Sequence, residues 1–468
     1  MKRIVINPIT RISGFMEIET YIENGRVADA RTDGLLFRGF EIMLQGRPPL
    51  DAIYFTQRIC GICSTAHSLA STLALESAMG ITPSEQGRYL RDIIHASEFV
   101  QNHIRHFYQF AVPDYVKLPG ISPLFDAGTS DFRLPPEKND LIARHYFDSL
   151  EVSRNAHKML AELGGKAPHN HGVFVGGATA VASADKIITL ISMLHDIQAF
   201  IDVCMLPDAY TIAEHYSDYY EMGGGYGNLL TYGCFDGYRD LGTLFVDPSV
   251  SINGRIAPLD PAAITEDTQY SWYAGVAGNI RPFDETTVDD PAKKDAYSWV
   301  KAPRYLGHPC EGGPLARLWL SGEYRHGISA MDRTIARVLE TRKIAGIIGK
   351  LLDNLIPDTS TQAEYMVPQS ARGMGLIDTS RGALGHWLQI QDQMISLYQI
   401  VTPSAWNLST QAGEVKGVGE TALIGTPIAN TDNPVEIGRV IRSFDPCVSC
   451  ATHVYVDGEK KQLMRLVP

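Results

Sequence analysis

The apolar and polar positions divide the chain into an alternating N-terminal part, several long helical segments and an irregular middle. Residues 3–32 alternate in strand fashion and contain the turn signal Glu23-Asn24-Gly25, which predicts a β-hairpin. From Cys63 to about Ala111 the apolar residues recur at helical spacing, with a break at Gly80–Pro83. This part of the chain therefore predicts strands first and two long helices after them.

Helical spacing also predicts helices over residues 138–164, 184–221, 326–356 and 382–400. The part between about Gly223 and Tyr324 is rich in Gly, Pro, Tyr and Asp, with strand-like pieces such as Gly242–Val246. We therefore expect an α+β fold that is mainly α-helical. Its core would consist of long helices, with an N-terminal β-hairpin region and an irregular β-containing middle excursion.

The composition is that of a globular protein with room for a large core, with 468 residues, 44% hydrophobic and 20% charged. The net charge of −12, without a basic stripe, argues against nucleic acid as a partner. Gly223–Gly227 and Gly349-Lys350 lack the residues that complete nucleotide-binding loops. The sequence therefore gives no sign of NAD, flavin or ATP binding.

The N-terminus, Met1–Pro8, has neither an apolar segment nor a small-residue cleavage site. This predicts synthesis in the cytoplasm without a signal of its own. The final site would be cytoplasmic, or membrane-associated through a partner subunit. The most apolar long stretch, Ile187–Leu206, contains His195, Asp196 and Asp202, which predicts a buried helix and no direct membrane span.

Two Cys-x-x-Cys pairs lie near opposite ends of the chain: Cys60 and Cys63, followed by His67, and Cys447 and Cys450, followed by His453. Four thiolates from two short loops can converge on one soft transition-metal centre. Because nearly the whole chain separates the pairs, such a site forms only when the two ends meet. This favours one interwoven domain over residues 1–468.

Other interpretations of the pairs stay open. The halves of a zinc ribbon lie roughly 15–20 residues apart, and a structural zinc stabilises a small fold, which a chain of this length does not need. A catalytic soft-metal centre is favoured, with structural zinc and a redox dithiol as alternatives. Arg381 is also open. An Arg before Gly is usually a surface charge, but near a metal it would supply a fixed cationic fork that Asp114 and Asp445 could orient.

With these residues assembled, the chain resembles the large, catalytic subunit of nickel–iron hydrogenases over its whole length. The related quinone-site subunit of respiratory complex I shares the fold but lacks the four cysteines that are present here. The segments that carry the resemblance are Asn7–Ile12, Phe37–Glu41, Arg58–His67, Arg381–Trp387, Thr402–Asn407 and Asp445–His453.

The resemblance implies a nickel–iron centre bound by the four cysteines. Cys60 and Cys447 would be terminal nickel ligands, and Cys63 and Cys450 would bridge nickel to an iron that carries carbonyl and cyanide. A separate magnesium site would be formed by Glu41, the carbonyl of Ile400 and His453.

The resemblance also implies roles for the side chains around the metals. Arg381 and Ser404 would donate hydrogen bonds to the cyanides, and His67 would be a partner of the bridging thiolates. Asp114 and Asp445 would hold Arg381 over the open nickel position, where its charge could polarise bound dihydrogen.

The implied activity is reversible heterolytic cleavage of dihydrogen, with the proton going to Cys447 and the electrons to an iron–sulfur small subunit. A maturation protease and nickel-insertion proteins would be further partners, and residues 454–468 would be a C-terminal extension that the protease removes. Two alternatives remain. One is a dihydrogen sensor with slow turnover, and the other is a non-catalytic structural subunit that holds zinc.

Two positions depart from the family pattern. Ser13 occupies the place of the glutamate that relays the proton, and Ser380 replaces the proline before Arg381. A hydroxyl can pass a proton on but cannot hold one as a carboxylate does. Glu17 and Glu19 would lie on the same strand face as Ser13 if no bulge intervenes at Gly14, so either a rerouted path or slow turnover is expected.

Overall fold

The structure is a computed structural model, and it describes residues 1–121, 131–275 and 278–448. The helices in these ranges are α1 (Phe40–Leu44), α2 (Asp51–Thr56), α3 (Ser64–Met79), α4 (Glu85–Arg105), α5 (Pro136–Gly164), α6 (Ala184–Phe200), α7 (Leu206–His215), α8 (Pro314–Ser321), α9 (Ala330–Asp353), α10 (Pro403–Leu408), α11 (Val418–Leu423) and α12 (Val435–Ser443). The strands are β1 (Lys2–Ile6), β2 (Met16–Glu23), β3 (Arg26–Gly34), β4 (Val173–Phe174), β5 (Gly177–Ala178), β6 (Leu229–Thr231), β7 (Ser249–Ile252), β8 (Arg255–Pro258), β9 (Ile264–Asp267), β10 (Ala302–Tyr305), β11 (Ser370–Thr379), β12 (Gly382–Gln391) and β13 (Met394–Val401).

The N-terminal part is an antiparallel sheet in the order β1-β2-β3, which confirms the predicted hairpin. Asn24 and Gly25 form its turn with φ angles of 52° and 72°, the left-handed values that Asn and Gly tolerate. Along β2 the apolar residues Met16, Ile18 and Ile22 are buried, while the glutamates between them reach the opposite face. The alternation in the sequence thus sets which face of the sheet meets the core.

The helical core is built around α4, which packs against α5 and α9. The predicted break between the first two long helices is present, because α3 ends at Gly80 with a left-handed φ of 67°. Ser84 then caps α4 by accepting the backbone N–H of Gly87. Most of α4 is buried, including polar side chains near its end, so this helix can bring polar groups into the interior.

The helix predicted over residues 382–400 is wrong, because this segment forms strands β12 and β13 of an antiparallel sheet with β11. The turn between them is Asp392-Gln393, with φ angles of 53° and 59°, so it lacks the glycine that usually marks such a turn. Helix α3 packs directly on β11, where a Cβ at Gly373 or Gly375 would collide with the α3 backbone. Helix α3, which directly follows the first cysteine pair, therefore packs on this sheet.

The middle of the chain is irregular and contains short strands, as predicted. It holds the sheet β6-β7-β8 and the pair β9-β10. Gly242–Val246 is not a strand, and only its two end residues form isolated bridges, to Tyr238 and Cys234.

One continuous helical segment in the described part of the chain, Ala184–His215, comprises α6, a short π-helical stretch and α7. By length and composition it is long and apolar enough to cross a membrane. The core helix of a soluble protein passes the same test. One face of this helix is buried through Leu190 and Leu194, while Ile188 and Val203 on its other side are 65% and 72% exposed. The expectation of a buried helix therefore holds for one face only, because part of its apolar content lies at the surface.

Candidate metal centre

Three of the four predicted cysteine ligands converge in the interior. The Sγ atoms of Cys60, Cys63 and Cys447 all lie within 4.8 Å of one another, and those of Cys60 and Cys447 are 3.3 Å apart. This separation is too long for a disulfide, whose sulfur atoms lie about 2.05 Å apart. Cys450 lies outside the described residues, as does His453. The two ends of the chain therefore meet at one buried cluster of thiols.

The first pair is shaped by its own backbone. Cys60 follows a 3-10 turn (Gln57–Ile59) in an extended conformation, and Cys63 is the residue from which α3 begins. The backbone N–H groups of Ile62 and Cys63 donate to the Cys60 Sγ at 3.3 and 3.4 Å. These two bonds hold the Cys60 sulfur beside the start of α3.

The second pair is held by two separate segments. The Ser13 N–H donates to the Pro446 carbonyl at 3.1 Å, and the Val448 N–H donates to the Ser13 carbonyl at 2.9 Å. The N-terminal segment thus runs parallel to Cys447 with Ser13 beside it. From α10, the Ser404 Oγ accepts the Cys447 N–H at 3.0 Å. Ser13 and Ser404 are therefore both next to the predicted terminal ligand.

Arg381 lies at the turn between β11 and β12, with its guanidinium directed at the second pair. Its Nε donates to the Asp445 carbonyl at 3.0 Å, and its Nη2 donates to the Asn102 Oδ1 at 2.7 Å and lies 3.1 Å from the Asp445 Oδ1. The Asn102 Nδ2 donates in turn to the Asp445 Oδ2 at 2.8 Å. Nη1 is buried without a hydrogen-bond partner in the described ranges. One donor of the fork is thus left for another group.

Charge keeps Arg381 protonated. Burial alone would lower the pKa of its guanidinium. The negative charge of Asp445, followed by that of Cys447 and then of the other two cysteines, holds that pKa well above its usual value. Convergent soft donors beside a fixed cation fit a thiolate-bound nickel–iron centre, since thiolates are the ligands that such metals select.

Asn102 was missed by the sequence reasoning. It lies on the buried face of α4, 1% exposed, and joins Arg381 to Asp445. The only signal in the sequence was a polar residue at a position where the helical pattern predicts the core. The partner that it binds is far away in the chain and could not be inferred from spacing.

The predicted contact between Asp114 and Arg381 is wrong in this structure. The Asp114 carboxylate accepts from the Nε and Nη2 of Arg442, both at 2.7 Å, and from Arg11. Burial would raise the pKa of Asp114, but the two cations outweigh it and lower that pKa to about 2. Because Arg442 lies on α12 just before Asp445, Asp114 instead ties α12 and the N-terminal segment together behind the second pair.

His67 projects from the first turn of α3 into a row of hydrogen bonds. Its Nδ1 is 3.1 Å from the His386 Nε2 on β12, and the His386 Nδ1 is 2.8 Å from the Tyr398 hydroxyl on β13. Burial lowers the pKa of His67 to about 4, against the opposing charge of Cys447. His67 is therefore neutral at pH 7. Its predicted role toward the bridging thiolates stays a prediction.

Glu41 and Ile400, the two predicted magnesium ligands that the structure describes, lie in an acidic cluster. Glu41 accepts the backbone N–H of Ile400 through Oε1 at 3.1 Å and the Thr287 hydroxyl through Oε2. The Lys301 Nζ lies 2.8 Å from Glu285 and 3.7 Å from both Glu41 and Glu266. This lysine and the two further glutamates were not predicted from the sequence.

Three acidic side chains in this cluster share one ammonium. Burial raises the pKa of Glu41 and raises that of Glu266 well above its usual value, against the opposing charge of Lys301. The Oε2 atoms of Glu266 and Glu285 are buried without hydrogen-bond partners among the residues that the structure describes. Clustered hard oxygen donors of this kind fit a divalent cation such as magnesium.

The fold and the cluster define a class of protein: a mixed helix-and-strand chain whose two ends form one buried cluster of cysteines beside a buried arginine. The family model described as nickel-dependent hydrogenase matches residues 38–124, 122–327 and 320–453. The chain belongs to the nickel-dependent hydrogenase family, as a large catalytic subunit. Hydrogenases of this family oxidise dihydrogen, and their large subunits pair with a small subunit.

The chain is similar to several named hydrogenase large subunits. It is 36% identical to the periplasmic NiFeSe hydrogenase large subunit of Desulfomicrobium baculatum, over 97% of this chain and 95% of that one. It is 31% identical to the hydrogenase-1 large chain of Escherichia coli K12, over 97% and 96%. The solved structure of the Ni-Fe-Se hydrogenase from Desulfovibrio vulgaris Hildenborough in the reduced state matches with a TM-score of 0.93 and 37% identity, over 97% of this chain and 100% of that one.

These comparisons confirm the predicted family and fold and correct one expectation. The expectation of a cytoplasmic protein without a signal of its own is contradicted, because a relative that matches 97% of the chain is named as periplasmic. The N-terminal residues were a poor guide, since a compartment can be set by a signal outside this sequence. Two of the relatives carry selenium in their names, whereas this sequence has cysteine at positions 60, 63, 447 and 450.

Proposed function

We propose that this chain cleaves dihydrogen heterolytically at a nickel–iron centre held by Cys60, Cys63, Cys447 and Cys450. The iron carries carbonyl and cyanide, and the electrons pass to an iron–sulfur small subunit. The observation that supports this most directly is the buried Arg381, whose Nη1 is left without a partner in the described ranges beside three converging cysteines. When bound, the metals supply the soft, electron-rich site at which dihydrogen becomes acidic.

The protein residues hold and move the proton. Asn102 and Asp445 fix the guanidinium of Arg381 through Nε and Nη2, so Nη1 needs no reorganisation to stabilise developing charge. The Sγ of Cys447 is the first proton acceptor, since Ser13 lies next to Cys447 and its hydroxyl can pass the proton on. Burial of the whole cluster excludes water and strengthens these interactions.

The other residues position ligands. The Ser404 Oγ accepts the Cys447 N–H, so its own proton is available to a cyanide. His67, on α3, would support the thiolates that bind the metals. Glu41, the Ile400 carbonyl and His453 hold magnesium, and Lys301 offsets part of the charge of the carboxylates around it. We also propose that residues 1–468 form a single interwoven domain before maturation, since the N-terminal segment pairs with the backbone of Cys447.

Isotope exchange tests this function against a zinc-holding structural role. The matured protein with its small subunit is expected to contain nickel and iron and to exchange deuterium gas with water protons. Exchange requires heterolysis but no electron acceptor, so it does not depend on the unknown partner of the small subunit. A zinc-loaded protein without exchange would remove the proposal.

A dihydrogen sensor with slow turnover is the second candidate, and the surroundings of Ser13 favour it. Ser13 lies beside Cys447, where a proton must be received, yet it offers only a hydroxyl. The condition under which Glu17 and Glu19 would share the strand face of Ser13 is not met, because Gly14, with a φ of 89°, interrupts the strand alternation before β2. Glu19 is also bound by Arg3 and by the Tyr21 hydroxyl.

Restoring a carboxylate at position 13 separates the two candidates. Ser13→Glu is expected to raise the exchange rate about 10-fold or more if proton transfer limits it, since a positioned general base contributes roughly 10²–10⁴-fold. Ser13→Gln, of similar size but unable to hold a proton, is the matched control. An exchange rate that Ser13→Glu leaves unchanged, with metals intact, would mean that Ser13 is not the bottleneck.

The tail beyond His453 lies outside the described residues, and its removal remains a proposal. Nickel-insertion proteins would load the centre, and a maturation protease would then excise Val454–Pro468. The intact mass of the active protein is expected to correspond to a chain that ends at His453. An active protein of full length would show that the tail is permanent.

A further inference from the structure

Helix α3 begins without the usual cap. Its N-cap residue is Cys63, whose side chain makes no capping hydrogen bond. The first N–H groups of a helix lack partners within the helix and are usually satisfied by the N-cap side chain. The first turn of α3, which also carries His67, therefore needs acceptors from elsewhere.

Glu98 on α4 supplies these acceptors. Its Oε2 accepts the Thr65 N–H at 2.8 Å and its Oε1 accepts the Ala66 N–H at 3.1 Å, at the second and third residues of α3. A carboxylate is favoured at this end of a helix, where the N–H groups and the helix dipole carry positive charge. Burial nevertheless raises the pKa of Glu98 to about 7, so the site is strongly desolvated. Glu98 thus occupies the place of a missing N-cap.

We propose that Glu98 is a positioning residue for the metal centre, acting through the first turn of α3. It fixes the backbone from which the Cys63 thiolate and the His67 imidazole project. This inference rests on the proposed function of Cys63. Asn102 lies one helical turn further along α4 and binds Arg381 and Asp445. Helix α4 would then align both cysteine pairs, the first through Glu98 and the second through Asn102.

Hydrogen exchange of the full-length, metal-free chain tests the cap directly. Glu98→Ala is expected to speed exchange at residues 64–67 by about 5-fold, the loss typical of a removed helix cap. Glu98→Gln should have a smaller effect, because its amide oxygen still accepts one N–H. Glu76→Gln is the matched control. Glu76 lies at the same interface with the same 4% exposure, and its Oε1 accepts from Arg91 and the Gly176 N–H.

Infrared spectra of the matured protein test the consequence for the metals. The carbonyl and cyanide bands are expected to shift or broaden in Glu98→Ala, to recover in part in Glu98→Gln, and to stay unchanged in Glu76→Gln. Unchanged exchange at residues 64–67 and unchanged bands in Glu98→Ala would overturn the inference, as would equal effects in Glu76→Gln. If the wild-type protein binds no nickel, the proposed function fails, while the exchange result still decides whether Glu98 caps α3.

Discussion

Cys447→Ser is expected to abolish nickel binding and dihydrogen turnover together. Its Sγ lies 3.3 Å from that of Cys60 in a buried cluster, and a serine hydroxyl at this place is a hard, protonated donor that soft metals do not select. The loss should exceed the roughly 10- to 100-fold cost of removing an outer hydrogen-bond partner of a metal ligand. Nickel and iron content, measured with the deuterium exchange rate, checks this.

Cys310→Ser is the matched control for Cys447→Ser. Cys310 is 0% exposed, against 1% for Cys447, so both substitutions bury the same new hydroxyl. Cys310 packs among apolar residues of the middle excursion and is not part of the thiol cluster. The Cys310→Ser variant should keep its nickel and iron and its deuterium exchange rate. Nickel retained by Cys447→Ser, or lost equally from Cys310→Ser, would contradict the assignment of Cys447 as a ligand.

The sequence predicted the parts of the fold that local patterns determine. The hairpin at Asn24-Gly25 and the break at Gly80 both depend on residues that tolerate a left-handed φ, and both are present. The helix predicted over residues 382–400 failed for a related reason. Its strands turn at Asp392-Gln393, where residues without a glycine signal take left-handed φ angles. The packing of α3 on β11, which selects strands there, is a contact between distant segments that periodicity does not report.

The candidate site divides in the same way. The cysteine pairs are short motifs, and the preference of soft metals for thiolates is enough to predict that the pairs converge. The partners of the charged groups could not be predicted from these motifs, since Asp114 could have bound either Arg381 or Arg442 on α12. The structure assigns it to Arg442, and it gives Arg381 to Asn102 and Asp445. Which of several arginines a buried carboxylate meets depends on the packing of α4 and α12, not on spacing in the chain.

Arg381→Lys is expected to keep the metals and to lower turnover by at least about 10²-fold. The guanidinium uses Nε and Nη2 to bind Asp445 and Asn102 and still presents Nη1. A lysine has one nitrogen and no rigid fork, so it can either stay with these two partners or reach toward the metals. In the first case the cation is misplaced, and in the second the carboxylate of Asp445 loses its partner.

The comparison that isolates this effect is Arg333→Lys. Arg333 is 3% exposed, against 2% for Arg381, and binds Glu311 through Nε and Nη2 at 2.7 and 2.8 Å. Its guanidinium stacks on the Phe444 ring at 3.7 Å, and it is not one of the groups that bind Asn102 or the Asp445 carboxylate. Arg333→Lys should cost stability while leaving the exchange rate per nickel unchanged. Arg381→Lys should do the reverse, with metal content retained and exchange per nickel lost. Near-normal exchange in Arg381→Lys would show that a positive charge without the planar fork suffices, and that Arg381 acts on the overall potential and not through a placed donor.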